Sequence, residues 1–368
     1  MKLKSAFAAS VSVAALMSTT FAASAQDMTA LYDAAKAEGQ LTVIALPHDW
    51  CGYGAVIEAF KAKYPGITVN ELNPDAGSAD EIEAIKANIG NTGPQAPDVV
   101  DVGLSFGPSG KAENLYQAYK VSTWDSISAD AKDADGFWTG DYYGVMSFLV
   151  NTDLVAKVPT SWADLKASDY ANAFALAGDP RAANQAISAV HAAGLASGAA
   201  AGSAAADAGL KFFAELNAAG NFVPVIGKAA SVAQGTTPIV AAWDYNALAW
   251  RDTFAGNPKA EVVVPSDSVV AGVYIQAISA YAPHPNAAKL WLEYLYSDEG
   301  QLGWLAGYCH PIRFNDMATR GVIPAELLAK LPDPALYAKA VFPTLDQQGA
   351  AKTTITGSWD AVVGANVQ

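Results

Sequence analysis

The stretch LPHDWCGYGAVIEAF, residues 46–60, places a histidine, an aspartate, a tryptophan, a cysteine and a tyrosine between an apolar run and an apparent helix. These residue types allow three kinds of chemistry. Cys51 could act as a nucleophile if a histidine accepted its proton, and histidine with cysteine could bind a metal ion. An aspartate beside aromatic rings could instead hold a small cation.

Residues 1–25 have the pattern of a secretory signal peptide. Lys2 and Lys4 form a basic start, residues 6–16 are mostly apolar, and Ala23-Ser24-Ala25 is an A-x-A cleavage site. No later stretch contains the roughly 20 uninterrupted apolar residues of a membrane helix. The sequence therefore predicts a protein exported to the periplasm without membrane insertion.

The formal net charge is −14, and removal of Lys2 and Lys4 makes the mature chain more acidic still. Nucleic-acid binding is not expected, because phosphates require a basic surface. An acidic surface raises the local concentration of cations, which is compatible with a cationic ligand. Acidity that only keeps an exported protein soluble is the alternative.

Cys51 and Cys309 are the only two cysteines of the chain. In an oxidising compartment an even number of cysteines favours a disulfide, which would consume the thiol that catalysis needs. A cysteine-dependent enzyme with His48, Cys51 and His310, and a zinc site with these residues and Cys309, remain as alternatives. The spacing of these residues matches no common zinc pattern.

The first part of the chain alternates between two kinds of periodicity. Strands are predicted at 40–46, 67–72 and 97–103, and helices at 55–66 and 78–90, the second with Ser78 as its N-cap and Glu81 three residues on. Such a β-α-β-α-β series predicts a parallel sheet with helices on its faces. The length of the chain predicts two lobes.

The later part of the chain gives less precise predictions of strands and helices. Residues 142–155 are predicted as a strand pair or as a strand that leaves the first lobe. Residues 237–252 are predicted as a strand that runs into a polar and aromatic loop. Residues 260–283 are rich in strand character, and 286–307 form an amphipathic helix followed by a second, short one.

The order of these segments resembles a known family. The segments LTVIAL, FKAKYPGITVN, APDVVDVG, YYGVMSFLVNTDLV and especially APHPNAAKLWLEYLYSDEGQLGWLAGYCHPIR are similar to those of periplasmic substrate-binding proteins of ABC importers. The resemblance is to the type II group, which includes binding proteins for spermidine/putrescine, iron(III), thiamine and aminoethylphosphonate. It covers nearly the whole mature chain.

The resemblance implies an α/β protein with the two-lobe type II fold, in which each lobe is a mostly parallel sheet flanked by helices. The ligand is expected in the cleft between the lobes. The implied boundaries are 26–146 plus 266–315 for the first lobe and 147–265 plus 316–368 for the second, with C-terminal helices that can pack on both. A monomer that delivers a small solute to an inner-membrane permease, with no cofactor and no bound metal, is expected.

Candidate ligand residues follow strands or lie near the lobe crossings. The first-lobe candidates have a carboxylate, aromatic rings and a hydroxyl group as possible ligand contacts. The second-lobe candidates include an acid between two aromatic residues, and one arginine. The set is Asp49, Trp50, Tyr53, Ser105, Phe106, Tyr143, Arg181, Trp243, Asp244, Tyr245 and Tyr274.

For the solute, Asp244 with its two aromatic neighbours favours a polyamine or another amine, because an ammonium group needs a carboxylate and gains from aromatic faces. Arg181 favours aminoethylphosphonate or an organic anion instead. Tyr142 and Tyr143 form an adjacent pair of the kind that iron(III) binders use, but the family places its pair later in the chain, where this sequence has Asp244-Tyr245. The sequence therefore predicts an amine, with anions and iron as alternatives.

Overall fold

The computed structural model describes residues 28–331 and 340–368, so the predicted signal segment 1–25 lies outside the described residues. The strands are β1 Gln40–Ile44, β2 Thr68–Leu72, β3 Val99–Gly103, β4 Tyr116–Gln117, β5 Thr139–Asn151, β6 Phe174–Leu176, β7 Ile239–Trp243, β8 Ala260–Val263, β9 Ala271–Ser279 and β10 His310–Pro311. The strands predicted up to residue 103 are confirmed, with ends that differ by a few residues.

Helices surround these strands. They are α1 at 28–38, α2 Tyr53–Lys63, α3 Ser78–Ala87, α4 Phe106–Ala112, α5 Asn184–Ala196, α6 Ser203–Ala219, α7 Ala229–Ala233, α8 Asp244–Thr253, α9 Pro285–Leu295, α10 Asp298–Ala306, α11 Phe314–Thr319, α12 Ala325–Leu328 and α13 Leu345–Val362. No helix in the described ranges is both long and apolar enough to span a bilayer. The predicted amphipathic helix 286–307 corresponds to α9 and α10.

One long strand, β5, runs through the large sheet. The strands β1 and β2 form a separate two-stranded sheet, and the Asp98 amide just before β3 donates to the Thr42 carbonyl of β1 (2.9 Å). The strand β3 belongs to the large sheet, where it pairs with β9. The first part of β5 pairs with β9 and β10, whereas its second part pairs with β7 and β8 in the second lobe. The strand β5 therefore connects the two lobes, as the sequence predicted for 142–155.

The predicted α/β two-lobe fold is confirmed, but the directions of its strands differ from the prediction. Among the named strands of the described chain, β1 pairs with β2 and β6 with β7 in parallel, and the other pairs are antiparallel. The expectation of mostly parallel sheets is wrong in this respect, because the crossing strands β5 and β9 run against their neighbours in the middle of the large sheet.

Two local predictions are corrected. Helix α3 is preceded by Gly77, whose amide donates to the carboxylate of Asp80 (2.8 Å), so Ser78 is not its N-cap. The Ser78 hydroxyl instead accepts the Gly103 amide, which ties the helix to strand β3. The polar and aromatic loop predicted after residue 243 is a helix, α8, because Asp244 begins its first turn.

Buried aromatic side chains hold each lobe together. In the first lobe Phe60 packs edge to face against Trp291, with ring centroids 5.0 Å apart. In the second lobe Trp162 packs in the same way against Phe148 at 4.9 Å. All four side chains are buried, and burial of each large apolar side chain contributes about 1.5–3 kcal/mol to stability.

The C-terminal helix α13 contacts elements of both lobes. It packs against α5 and α6 of the second lobe. Lys352 on α13 donates to the Ser105 carbonyl (3.2 Å) of the first lobe, at the start of α4. The lobe boundaries proposed from the sequence stay a prediction.

Candidate functional site

A cleft of about 490 Å³ lies between the two lobes. Its first-lobe wall comes from segments that follow β1 and β2 and from Asp101 on β3. Its second-lobe wall comes from the segment between β6 and α5, from residues 226–230, and from two residues of α8. The lining includes residues 45–50, 74–81, 101, 177–185, 226–230, 246, 250 and 274, although not every residue in each range contributes. Such loops converge where open α/β sheets bind ligands.

The two walls touch each other around the cleft. The Ala79 amide donates to the Ala182 carbonyl across the lobes (3.2 Å). The Trp250 indole donates to Asp49 (2.9 Å). The Lys228 ammonium donates to the Asp75 carboxylate (2.8 Å). The structure is therefore a closed form of the binding cleft.

The first-lobe wall contains an acid–aromatic cluster, which consists of Trp50, Tyr53, Asp101 and Tyr142. The hydroxyls of Tyr53 and Tyr142 both donate to Asp101 Oδ2, at 2.6 and 2.7 Å. The Trp50 indole donates to the Tyr142 hydroxyl (2.6 Å). The other oxygen, Asp101 Oδ1, accepts no N–H or hydroxyl group of the described residues, although Asp101 is buried and lines the cleft. The Asp101 carboxyl is hydrogen-bonded to the neighbouring carboxyl of Asp141.

Two further buried carboxyl groups surround Asp101. Glu81 accepts the Asp101 amide (2.9 Å), and Asp141 accepts the Gln276 amide group (3.1 Å) and interacts directly with the Asp101 carboxyl. Burial raises the pKa of Asp101 to about 7, while the hydroxyls of the two tyrosines oppose that rise. Burial first, and then the charge of Asp101, raise the pKa of Glu81 and of Asp141 well above the ordinary range. Near neutral pH these three carboxyl groups therefore hold protons that a bound cation could replace.

Aromatic rings cover this group from the side of the cleft. Trp50 contacts Tyr274 edge to face at 5.2 Å and Tyr245 at 5.4 Å, and Tyr274 stacks on Tyr142 at 5.6 Å. The Trp243 indole donates to the Tyr274 hydroxyl (3.4 Å). A cation beside Asp101 would therefore lie next to the faces or edges of several rings.

The second-lobe wall contains an amide network around Gln185 at the start of α5. Its Oε1 accepts the Trp243 amide (2.7 Å) and the side-chain amide of Asn246 (3.1 Å), and its Nε2 donates to the Ala177 carbonyl (2.8 Å). Asn246 and Gln185 are buried and line the cleft. The network fixes the orientation of polar atoms on this wall.

The predicted ligand residues are distributed over three places. Asp49, Trp50 and Tyr274 line the cleft. Tyr53 and Tyr245 are fully buried directly behind the cleft. Tyr53 contacts Asp101, and Tyr245 contacts Trp50. The ligand role of this set stays a prediction, but the structure places these five side chains at the cleft or directly behind it.

The remaining predicted residues do not line the cleft. Trp243 is fully buried behind Tyr274. Ser105 and Phe106 are buried at the start of α4, where the Lys352 ammonium lies 3.9 Å from the centroid of the Phe106 ring. Tyr143 stacks on the ring of His310 at 4.9 Å.

The two charged residues of the second lobe take part in structural contacts. Asp244 is buried, and its Oδ1 accepts the Val145 amide of β5 (2.9 Å). Arg181 forms a bidentate pair with Asp179 and also donates to the Val367 carbonyl (3.2 Å), so it anchors the C-terminal segment. Neither side chain lines the cleft, because each lies against backbone elsewhere.

The set of candidate ligand residues omitted Glu81, Asp101 and Asn246, which line the cleft, and Asp141 and Tyr142, which are buried behind it. One signal was available for Asp101. It interrupts the apolar run of β3, and an acid inside a buried strand requires a partner or a function. No comparable signal existed for Asn246, because it lies in the segment that was predicted as a polar and aromatic loop, where a polar residue is ordinary.

The predicted disulfide between Cys51 and Cys309 is confirmed, with Cα atoms 5.3 Å apart. It joins the loop that carries Trp50 to the segment before β10. Neither sulfur is a free thiol, so Cys51 cannot act as the nucleophile of the cysteine-enzyme alternative. In the described ranges no group of three or more His, Cys, Asp or Glu side chains is placed to hold a metal ion.

Comparison with known proteins agrees with this architecture. Residues 95–321, more than half of the chain, match the model of the bacterial extracellular solute-binding proteins. The chain belongs to that family, whose members serve ABC importers as extracellular binding components. No curated protein matches the sequence significantly.

Solved structures of periplasmic binding proteins have the same fold. AfuA from Actinobacillus pleuropneumoniae, solved with fructose-6-phosphate, is 19% identical with a TM-score of 0.70, and the match covers 89% of this chain and 99% of AfuA. An ABC transporter substrate-binding protein from Bradyrhizobium japonicum is 20% identical with a TM-score of 0.68 over 88% and 99% of the chains. A putative spermidine/putrescine ABC transporter protein from Listeria monocytogenes is 14% identical with a TM-score of 0.65 over 88% and 99%. At these identities the similarity concerns the fold alone.

Proposed function

We propose that this solute-binding protein captures a small amine-bearing cation in the periplasm and, as a monomer, delivers it to an ABC permease. The observation that carries the proposal is Asp101. It is a buried carboxyl group on the cleft wall, one of its oxygens accepts no N–H or hydroxyl group of the described residues, and it is held among aromatic rings. A positively charged donor is the group that completes such a site.

The charge of the cleft supports the same conclusion. Its described lining has one lysine, Lys228, and that lysine is paired with Asp75 across the lobes. The carboxyl groups of the lining outnumber it and are Asp49, Asp75, Asp80, Glu81, Asp101 and Asp179. A cleft whose ionisable groups are mainly carboxyl groups attracts cations and opposes the entry of anions.

An organic anion, including a phosphonate, is the second candidate. The helix α5 begins at the cleft with no side-chain cap at its N-terminus, and free amides of a helix start favour an anionic group. Glu81 and Asp101 lie on the facing wall, which makes this candidate weaker for any ligand without an amine.

The proposal is tested by a thermal-shift screen followed by calorimetry on the mature protein. The panel contains putrescine, spermidine, 2-aminoethylphosphonate, succinate and ferric citrate. Amines are expected to raise the melting temperature, because a ligand at 100 times its Kd stabilises the folded state by about 2.7 kcal/mol. A response to succinate without any response to amines would instead establish the anion candidate.

A further inference from the structure

Two buried oxygens that accept no N–H or hydroxyl group of the described residues lie on opposite walls of the cleft. One is Asp101 Oδ1 of the first lobe, and the other is Asn246 Oδ1 of the second lobe. The two residues are 5% and 1% exposed. The Asp101 carboxyl is hydrogen-bonded to the Asp141 carboxyl, whose proton an ammonium group would replace, whereas Asn246 Oδ1 depends on a donor that enters the cleft.

The orientation of the Asn246 side chain is fixed by the network around Gln185. Gln185 Oε1 accepts the Trp243 amide (2.7 Å), and Gln185 Nε2 donates to the Ala177 carbonyl (2.8 Å), so the amide of Gln185 cannot be reversed without loss of both bonds. The nitrogen of Asn246 therefore faces Gln185 Oε1 (3.1 Å), and its oxygen is left as the acceptor.

An acceptor that is buried and unmatched is unfavourable in the free protein. Buried polar groups almost always have partners, and an exception on a residue that lines a cleft can be completed by a molecule that enters the cleft. Asp101 and Asn246 differ in the donor that suits them. The carboxyl of Asp101 suits an ammonium group, whereas Asn246 is a neutral amide whose partner Gln185 is also neutral, so it suits an uncharged donor such as a hydroxyl.

We infer that Asn246 is a specificity-determining residue that accepts a hydrogen bond from a hydroxyl group of the ligand, so that the solute is a hydroxylated amine. This inference rests on the proposed function, because Asp101 is taken to bind the ammonium group. One ligand then satisfies one acceptor on each lobe, and closure of the lobes is coupled to the presence of both groups. An amine without the hydroxyl leaves Asn246 Oδ1 unmatched in the closed form.

The test compares matched compounds on the mature, disulfide-bonded protein. Ethanolamine, 4-amino-1-butanol and 6-amino-1-hexanol are each titrated by calorimetry beside ethylamine, butylamine and hexylamine, and putrescine is added as a diamine. For the chain length that binds best, the amino alcohol is expected to bind at least about tenfold more tightly than the simple amine. In Asn246→Leu this preference is expected to fall to within about twofold, because leucine has a similar size and no acceptor.

A cooperative thermal unfolding transition shows that Asn246→Leu is folded, and the preference of the wild type is measured independently of this variant. Equal affinities of the wild type for amino alcohols and simple amines would overturn the role of Asn246 while the proposed function stands. Tighter binding of putrescine than of 4-amino-1-butanol would also overturn it. Absence of binding for every amine would overturn the proposed function and this inference with it.

Discussion

Asp101 lies in strand β3 and Asp244 directly follows strand β7, and both are buried aspartates near tryptophan and tyrosine side chains. In the second-lobe region 243–245, Asp244 accepts the Val145 amide of the crossing strand β5 and does not line the cleft. In the first-lobe wall, Asp101 lines the cleft and accepts two tyrosine hydroxyls with one oxygen, and its other oxygen accepts no N–H or hydroxyl group of the described residues.

This difference shows that burial of an acid does not by itself identify a binding residue. An acid whose oxygens accept backbone amides stabilises the fold. An acid on the cleft wall with an oxygen that accepts no N–H or hydroxyl group of the protein is available to a ligand. The acid-plus-aromatic pattern of residues 243–245 indicated the chemistry of the site but not its position.

The largest effect is expected for Asp101→Asn. Loss of the negative charge should weaken amine binding at least about hundredfold, because removal of one partner of a buried charged pair costs about 2–5 kcal/mol. Asp75→Asn is the control, since the exposed Asp75–Lys228 pair should change affinity only a few-fold. Calorimetry on both variants measures this, and an unchanged Kd in Asp101→Asn would contradict the assignment.

Amine affinity should depend on pH through Asp101. Because burial raises the pKa of this carboxyl to about 7, it is protonated below that pH and must lose its proton before it pairs with an ammonium group. Affinity should therefore fall by about tenfold per pH unit as the pH is lowered from 7 to 5.

The stability of the ligand-free protein should change in the opposite direction. A raised pKa means that protonated Asp101 contributes stability that is complete below its ordinary pKa and is lost as the pH rises through 7. Titrations between pH 5 and 8 with Asp101→Asn as control check both trends, and an identical slope in the variant would assign the effect to another group.

Asp244→Ala should affect the fold and leave the ligand site intact. The substitution leaves the buried Val145 amide without its acceptor, which costs about 1–3 kcal/mol of unfolding free energy. The amine Kd of the folded variant should stay within about threefold of the wild-type value. Denaturant unfolding and calorimetry measure the two quantities, and loss of binding with unchanged stability would restore Asp244 as the ligand residue.

The smallest effect is expected for Trp50→Leu. The indole ring offers a face to a cation near Asp101, which is worth about 0.5–2 kcal/mol, or about 2- to 30-fold in Kd. Tyr281→Leu is the control, because Tyr281 is partly exposed and does not line the cleft. If both variants bind the amine as tightly as the wild type, the rings serve packing and not recognition.

Much of the fold followed from local patterns. The strands β1, β2 and β3, the helices α2 and α3, the helices α9 and α10 and the pairing of the two cysteines were predicted correctly, and the crossing strand β5 was one of the two alternatives for 142–155. The helix α1 was not predicted. The site was predicted in part, since Asp49, Trp50 and Tyr274 line the cleft and Tyr53 supports Asp101. Glu81, which was read as part of a helix cap, instead accepts the Asp101 amide of strand β3.

The sequence by itself determined the family, the alternation of strands and helices, the excess of acids and the single pair of cysteines. These properties depend on composition and on residues that are near one another along the chain. Only the tertiary structure decided which acid has an oxygen that can accept a donor from a ligand. Asp101 meets Tyr53 and Tyr142 from 48 and 41 residues away, and Asp244 meets Val145 from 99 residues away. Whether a buried polar atom has a hydrogen-bond partner depends on such residues, which are distant along the chain. The local pattern of apolar residues gives no information about them.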